Sequence, residues 1–192
     1  MKLRLLNASH SALAYLGQTV GLTFLHDVVA VPAYRQFVER LMASAARTVT
    51  APGIDLVAYQ RQLLTRFSNC AVRHRTAQIA QDGSLKVPVR LLATARDCLE
   101  QNLAFAPVAE AVALWLRYLR QAAADGTPVV DPKAEQLLAR ARDEIARLGD
   151  TLNAMLARLE DALARERRVV SDASHELRTP LALMKIELEL AL

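Results

Sequence analysis

Apolar residues recur at helical spacing along nearly the whole chain, with polar and charged residues between them. That is the pattern of amphipathic helices packed on one another. Pro32 suits the first position of a helix, with Phe37 and Leu41 on one of its faces. Pro52-Gly53 reads as a turn, and Asp55 is placed to cap the helix that follows. In that helix Leu56, Tyr59, Leu63 and Phe67 form the apolar stripe. Asp82-Gly83-Ser84 marks a second turn, with helix predicted from there to about Glu100. Pro107 opens a strongly apolar helix through Trp115 and Leu119, and Asp125-Gly126-Thr127-Pro128 is a loop.

Asp131-Pro132 is an N-cap and first-turn pair. Beyond it the pattern predicts one helix to near Leu192, roughly 90 Å at ~1.5 Å per residue. Ile145, Leu148, Leu152, Met155, Leu159 and Ala162 recur at alternating spacings of three and four, a coiled-coil seam. The seam resumes at Leu177, Leu181, Met184, Leu188 and Ala191, one residue out of step, which rewinds a coil locally. A helix of that length cannot bury its far half against a small domain, so it either pairs, as a homodimer through 145–191, or stays exposed and frays.

Composition narrows the class. Of 192 residues 53% are hydrophobic and 5% aromatic, with 6 glycines, a mix that favours helix over sheet. The fold expected is all-α: a compact helical domain followed by one long protruding helix. The net charge of +4 is spread through the helices rather than clustered with aromatics, so no nucleic-acid partner is expected. Leu103 to Leu119 is apolar but carries Glu110 and Arg117 and falls short of the ~20 residues a membrane span needs. No membrane span, no metal site and a cytoplasmic location are expected. Cys70 and Cys98, in no CxxC pattern, read as free thiols.

Candidate chemistry lies at both ends. The run Lys2 to Gly17, with Lys2, Asn7 and His10 in a K-x4-N-x2-H pattern, resembles the opening of the C-terminal substrate domain of the mannitol dehydrogenase family, which includes fructuronate reductases. Regular helix geometry puts Asn7 and His10 about 140° and 80° round from Lys2, so the three can converge on one pocket. The segments Arg66 to Asn69, Arg73 to Thr76 and Gln78 to Lys86 resemble the family's substrate-side stretch. The resemblance implies a fold like the C-terminal domain of 6-phosphogluconate dehydrogenase over 1–140. It implies that Lys2, its pKa lowered by burial, takes the proton from a substrate hydroxyl, while Asn7 and His10 hydrogen-bond the oxygen as it becomes carbonyl-like. Lys86 falls where the family has a substrate-contacting lysine, and Gln78 where some members carry a substrate-binding arginine. The substrate implied is a polyol or sugar acid, and the cofactor NAD or NADP, held in the family by a preceding Gly-rich domain; no G-x-G-x-x-G occurs here.

The tail resembles another family. Residues 141–170 look like the second helix of a HAMP signalling module, and 171–192, with Ser174-His175-Glu176-Leu177-Arg178-Thr179-Pro180, resemble the phospho-acceptor helix of sensor histidine kinases. His175 lies about 200° from Ala173 and Leu177 on a helix, away from the apolar side. The resemblance implies that His175 accepts a phosphoryl group, that Glu176 orients or deprotonates its ring, and that Thr179 positions a water for dephosphorylation. ATP, a response regulator or an intact kinase in trans would be its partners.

Two functions are thus open: the substrate domain of an oxidoreductase acting on CH–OH groups, or a sensor-kinase fragment in a phosphorelay. Neither machinery is expected to be catalytically complete in this chain. A junction of two unrelated reading frames is the origin that both partial resemblances favour.

Overall fold

The computed structural model describes residues 1–147 and Met155. Among them the fold is all helix, as the periodicity predicts; extended pairing is confined to an isolated antiparallel bridge between Phe24 and Arg75. In chain order come α1 (Ala8–Val20), α2 (Leu25–Ala30), α3 (Pro32–Ala46), α4 (Leu56–Phe67), α5 (Thr76–Ala80), α6 (Gly83–Val87), α7 (Ala93–Glu100) and α8 (Ala106–Asp125). A π-helical turn, Leu3–Asn7, runs into α1, and a second, Pro88–Leu92, joins α6 to α7. Residues 134–147 are also helical.

The core is built around α1. Every residue from Ser11 to Gly17 is buried, and a helix covered on all sides must be lined by other helices. Its neighbours include α8, α5, α2 and α3. Small residues allow the close approach: a Cβ added to Gly17 would lie 2.6 Å from Thr76 Cγ2 and 2.9 Å from Val28 Cγ2. Leu13, Val28, Val38, Met42 and Leu91 are fully buried; each such side chain stabilises the fold by about 1.5–3 kcal/mol relative to exposure.

The helix starts follow from their caps. Pro32 occupies the first turn of α3, and Asp55 Oδ1 accepts from the N–H of Val57 at 2.9 Å and of Ala58 at 3.0 Å. Leu63 and Phe67 are buried beneath α4, with Leu56 and Tyr59 packed against the same core. Asp131 caps twice: Oδ1 accepts from Lys133 N–H at 2.8 Å and Oδ2 from Ser84 N–H at 2.7 Å. One carboxylate therefore closes the start of α6 and the turn that leads into the 134–147 helix. At the 82–84 turn the left-handed residue is Asp82, φ 55°, not Gly83. Gly83 is glycine because of crowding: an added Cβ would meet Trp115 Nε1 at 2.5 Å and Tyr15 Oη at 3.0 Å.

The chain divides into a unit Met1–Asp143 and one that begins at Glu144. Of the second, residues 144–147 and Met155 are described, as helix. The expected continuation to Leu192, the seam beyond Arg147 apart from Met155, and His175, Glu176 and Thr179 lie outside the described residues. Among those described, no helix is long and apolar enough to cross a membrane, and no group of three His, Cys, Asp or Glu side chains is placed to hold a metal.

Candidate functional site

The first π-helical turn shapes the N-terminal part of the site. Asn7 N–H donates to the Lys2 carbonyl, five residues back, at 3.0 Å. The wider turn brings Asn7 round nearer to Lys2 than regular α geometry does. The second turn begins at Pro88, which has no N–H to give an α-helical ladder; there the N–H of Ala93 donates to the Pro88 carbonyl across the extra residue. Turns of this kind are uncommon and gather at functional sites. The two pack against each other.

Arg90 of the second turn ties them together. Its Nη1 donates to Ser11 Oγ at 2.9 Å and to the Asn7 carbonyl at 3.4 Å. His10, in the first turn of α1, is held by rings. It stacks on Phe67 at 5.3 Å between centroids and 14° between planes, and meets the edge of His74 at 5.1 Å and 80°. Its Nε2 is buried and has no hydrogen-bond partner. Burial lowers the His10 pKa from 6.5 to about 4, and His74, Arg90, Arg66 and Lys86 push it the same way. The ring is therefore neutral at pH 7.

Lys86, on α6, is a half-buried and well-held cation. Its Nζ donates to the carbonyls of Gln81 at 2.6 Å and Ile79 at 3.3 Å, and Asp82 lies 3.8 Å away. Burial lowers its pKa, with Asp82 acting in the opposite direction. Behind this wall the Tyr15 hydroxyl is buried without a partner, and its pKa is raised by burial.

The structure thus gathers Asn7, His10 and Lys86 with Arg90, His74 and Arg66. Lys2 and Gln78 are exposed. Lys2 stands at the head of the first π-helical turn, so the burial that its expected role requires is not provided by the described residues. Sequence reading assigned no role to Arg90. Its one local signal is the spacing of four from Lys86, which on a continuous helix sets the two on neighbouring positions of one face. His74 and Arg66 fall within the motif stretches, but nothing local shows that they converge on His10. A cleft of about 360 Å³ between α3 and α8, lined by Leu16, Tyr34, Phe37, Arg40, Leu114 and Arg117 among others, is mainly apolar and shares none of these site residues.

Known proteins resemble this domain in sequence and in fold. Residues 1–179 match the model of the mannitol dehydrogenase C-terminal domain. The D-mannonate oxidoreductase of Escherichia coli K12 is 47% identical over 136 residues, which cover 69% of this chain and 28% of that protein. A mannitol 2-dehydrogenase of Aspergillus fumigatus is 34% identical over 145 residues, covering 73% of this chain and 29% of that protein. Among solved structures, the Pseudomonas fluorescens mannitol 2-dehydrogenase in ternary complex with NAD and D-mannitol is similar with a TM-score of 0.66 at 32% identity, covering 72% of this chain and 29% of that one. The chain spans less than a third of the length of these relatives. With the match running through the site from Lys2 to Arg90 and beyond, the chain belongs to the mannitol dehydrogenase family, as its C-terminal domain.

Proposed function

We propose that this chain supplies the substrate side of an NAD(P)-dependent oxidoreductase that interconverts a secondary alcohol and a ketone on a polyol or sugar acid. The observation that carries this reading is the buried, unpartnered Nε2 of a neutral His10 beside Asn7. A neutral imidazole can donate to an oxygen that gains or loses carbonyl character without bringing a full charge. Asn7 adds an amide donor from the neighbouring turn. Lys2 takes the hydroxyl proton in this reading, and becomes buried only when substrate and the facing part of the protein cover it. Relatives named for mannonate and for mannitol support both substrate types.

The described residues form no strand, glycine-rich turn and helix of the kind that cradles a dinucleotide pyrophosphate. They do not fit a nicotinamide dinucleotide, and no step is derived through it. The reading of the tail as a HAMP-like helix and a phospho-acceptor helix, with His175 exchanging phosphate with a kinase and a response regulator and dimerising through 145–191, rests on the 174–180 box, the HAMP-like stretch before it and the heptad seam, all read from sequence. The mannitol dehydrogenase match runs through most of the same segment, and the oxidoreductase reading is favoured.

The test is reconstitution. The full chain mixed with a dinucleotide-binding domain of the family should support NAD(P)-dependent oxidation of D-mannitol or D-mannonate. Lys2→Ala and His10→Ala should each lower the rate by about a hundredfold or more, the usual scale for a catalytic acid–base group or an oxygen-stabilising donor. Equal rates in the native and substituted chains would sink the assignment.

A further inference from the structure

His10 sits among bases. The four side chains that bear most on it are His74, Arg90, Arg66 and Lys86. They reach it from different places: Arg66 from α4, His74 from the segment before α5, Lys86 from α6 and Arg90 from the second π-helical turn. Few acids answer them. Asp82 pairs with Lys86, and Asp131 is taken up by the N–H groups of Ser84 and Lys133. Among the described residues neither Arg66 nor Arg90 is in an ion pair. Arg90 is half-buried, and burial lowers its pKa, so its charge is held at a cost.

The guanidinium of Arg90 is only partly used. Nη1 is committed to Ser11 and Asn7, while Nε and Nη2, the outer edge of the fork, make no hydrogen bond among the described residues. That edge presents two parallel N–H groups, the geometry that receives both oxygens of a carboxylate. Nη1 fixes the plane of the fork against the same turn that carries Asn7. An anion placed there would also neutralise the unmatched charge around His10, which a neutral polyol cannot do.

We propose that Arg90 is a specificity-determining residue which, with Lys86, receives a substrate carboxylate, so that the ligand of this site is a sugar acid rather than a neutral polyol. This rests on the substrate-side reading above and narrows it.

The test uses the full chain and two probes, D-mannonate and D-mannitol, followed through the histidine ring resonances by NMR. D-mannonate should bind at least ~10-fold more tightly than D-mannitol, the scale of one charge-assisted hydrogen-bonded pair. Saturation with D-mannonate should raise the His10 pKa, because an anion beside His74, Arg66, Lys86 and Arg90 favours the imidazolium; saturation with D-mannitol should not. Arg90→Gln should bring the preference close to one, and Arg90→Lys, a charge without the fork, should restore part of it. Equal affinity of the native chain for both probes would overturn the inference and leave the substrate-side reading intact. So would inorganic phosphate binding as tightly as D-mannonate at the same resonances, which marks a general anion site. Should Arg90→Gln fail to fold, the native comparison and Arg90→Lys decide. Binding of neither sugar would overturn the substrate-side reading itself.

Discussion

Replacing His10 with glutamine should remove a pH dependence from the stability of this chain. The unfolded chain takes up the His10 proton near pH 6.5, whereas the folded chain resists it down to about pH 4 because the ring is buried against Phe67 and surrounded by bases. Between those values the unfolded state binds more protons, so folding stability rises with pH. The contribution of the neutral ring is fully present above about pH 6.5, declines as pH falls and is gone below about pH 4. Two and a half pH decades at about 1.4 kcal/mol each set a ceiling of about 3.5 kcal/mol. The ring is not wholly enclosed, and water at its edge brings the expected value nearer ~2 kcal/mol. The assay is urea unfolding of the native and His10→Gln chains at several pH values between about 7.5 and 4.5. Fluorescence of Trp115, the single tryptophan, reports on the unit that contains the site. The native chain should lose about 2 kcal/mol more than the variant across the window. Parallel curves would refute the claim that the fold holds His10 neutral.

Two further outcomes test the packing that supports the site. Gly83→Ala should destabilise the chain by about 1–3 kcal/mol, because the new methyl group meets the Trp115 indole and the Tyr15 hydroxyl, and this outweighs a gain of ~1 kcal/mol in helix propensity; Trp115→Leu in the same chain should recover part of the loss in circular-dichroism unfolding, and a Gly83→Ala chain as stable as the native one would contradict the close approach. Thr76→Val keeps the shape but removes a buried hydroxyl that donates to the Leu22 carbonyl at 2.8 Å and accepts from Gln18 Nε2 at 2.8 Å. It should cost about 1–3 kcal/mol, and thermal unfolding at an unchanged midpoint would show that those groups find other partners.

What the sequence made legible is what acts over a few residues. Pro32 announces a helix start through its fixed backbone, Asp55 and Asp131 through side chains that bond two or three positions away, and each does so in the structure. Leu63 and Phe67 declare a buried face by their spacing, and both are buried. Lys2, Asn7, His10 and Lys86 were visible as a motif. The π-helical turns were not, because a single extra residue barely disturbs an apolar period of three to four. Arg90 was hidden for a different reason: it meets Ser11 and Asn7 across about eighty positions of sequence, and no local pattern encodes such a meeting. Gly83 read as a turn residue because glycine serves turns so often, whereas its reason is the indole of Trp115, far along the chain on α8.

Each π-helical turn is, in sequence terms, an α-helix carrying one position too many. Were Leu3–Asn7 to relax to regular helix at its present length, Lys2 would swing by about 100° relative to His10. The same relaxation of Pro88–Leu92 would turn Arg90 or its neighbours away from Asn7. The wide turns therefore carry the site as much as its side chains do: Leu3 or Val89, both exposed, could drift among residue types, but a chain with every site residue in place and regular helix at either turn would no longer hold those residues together.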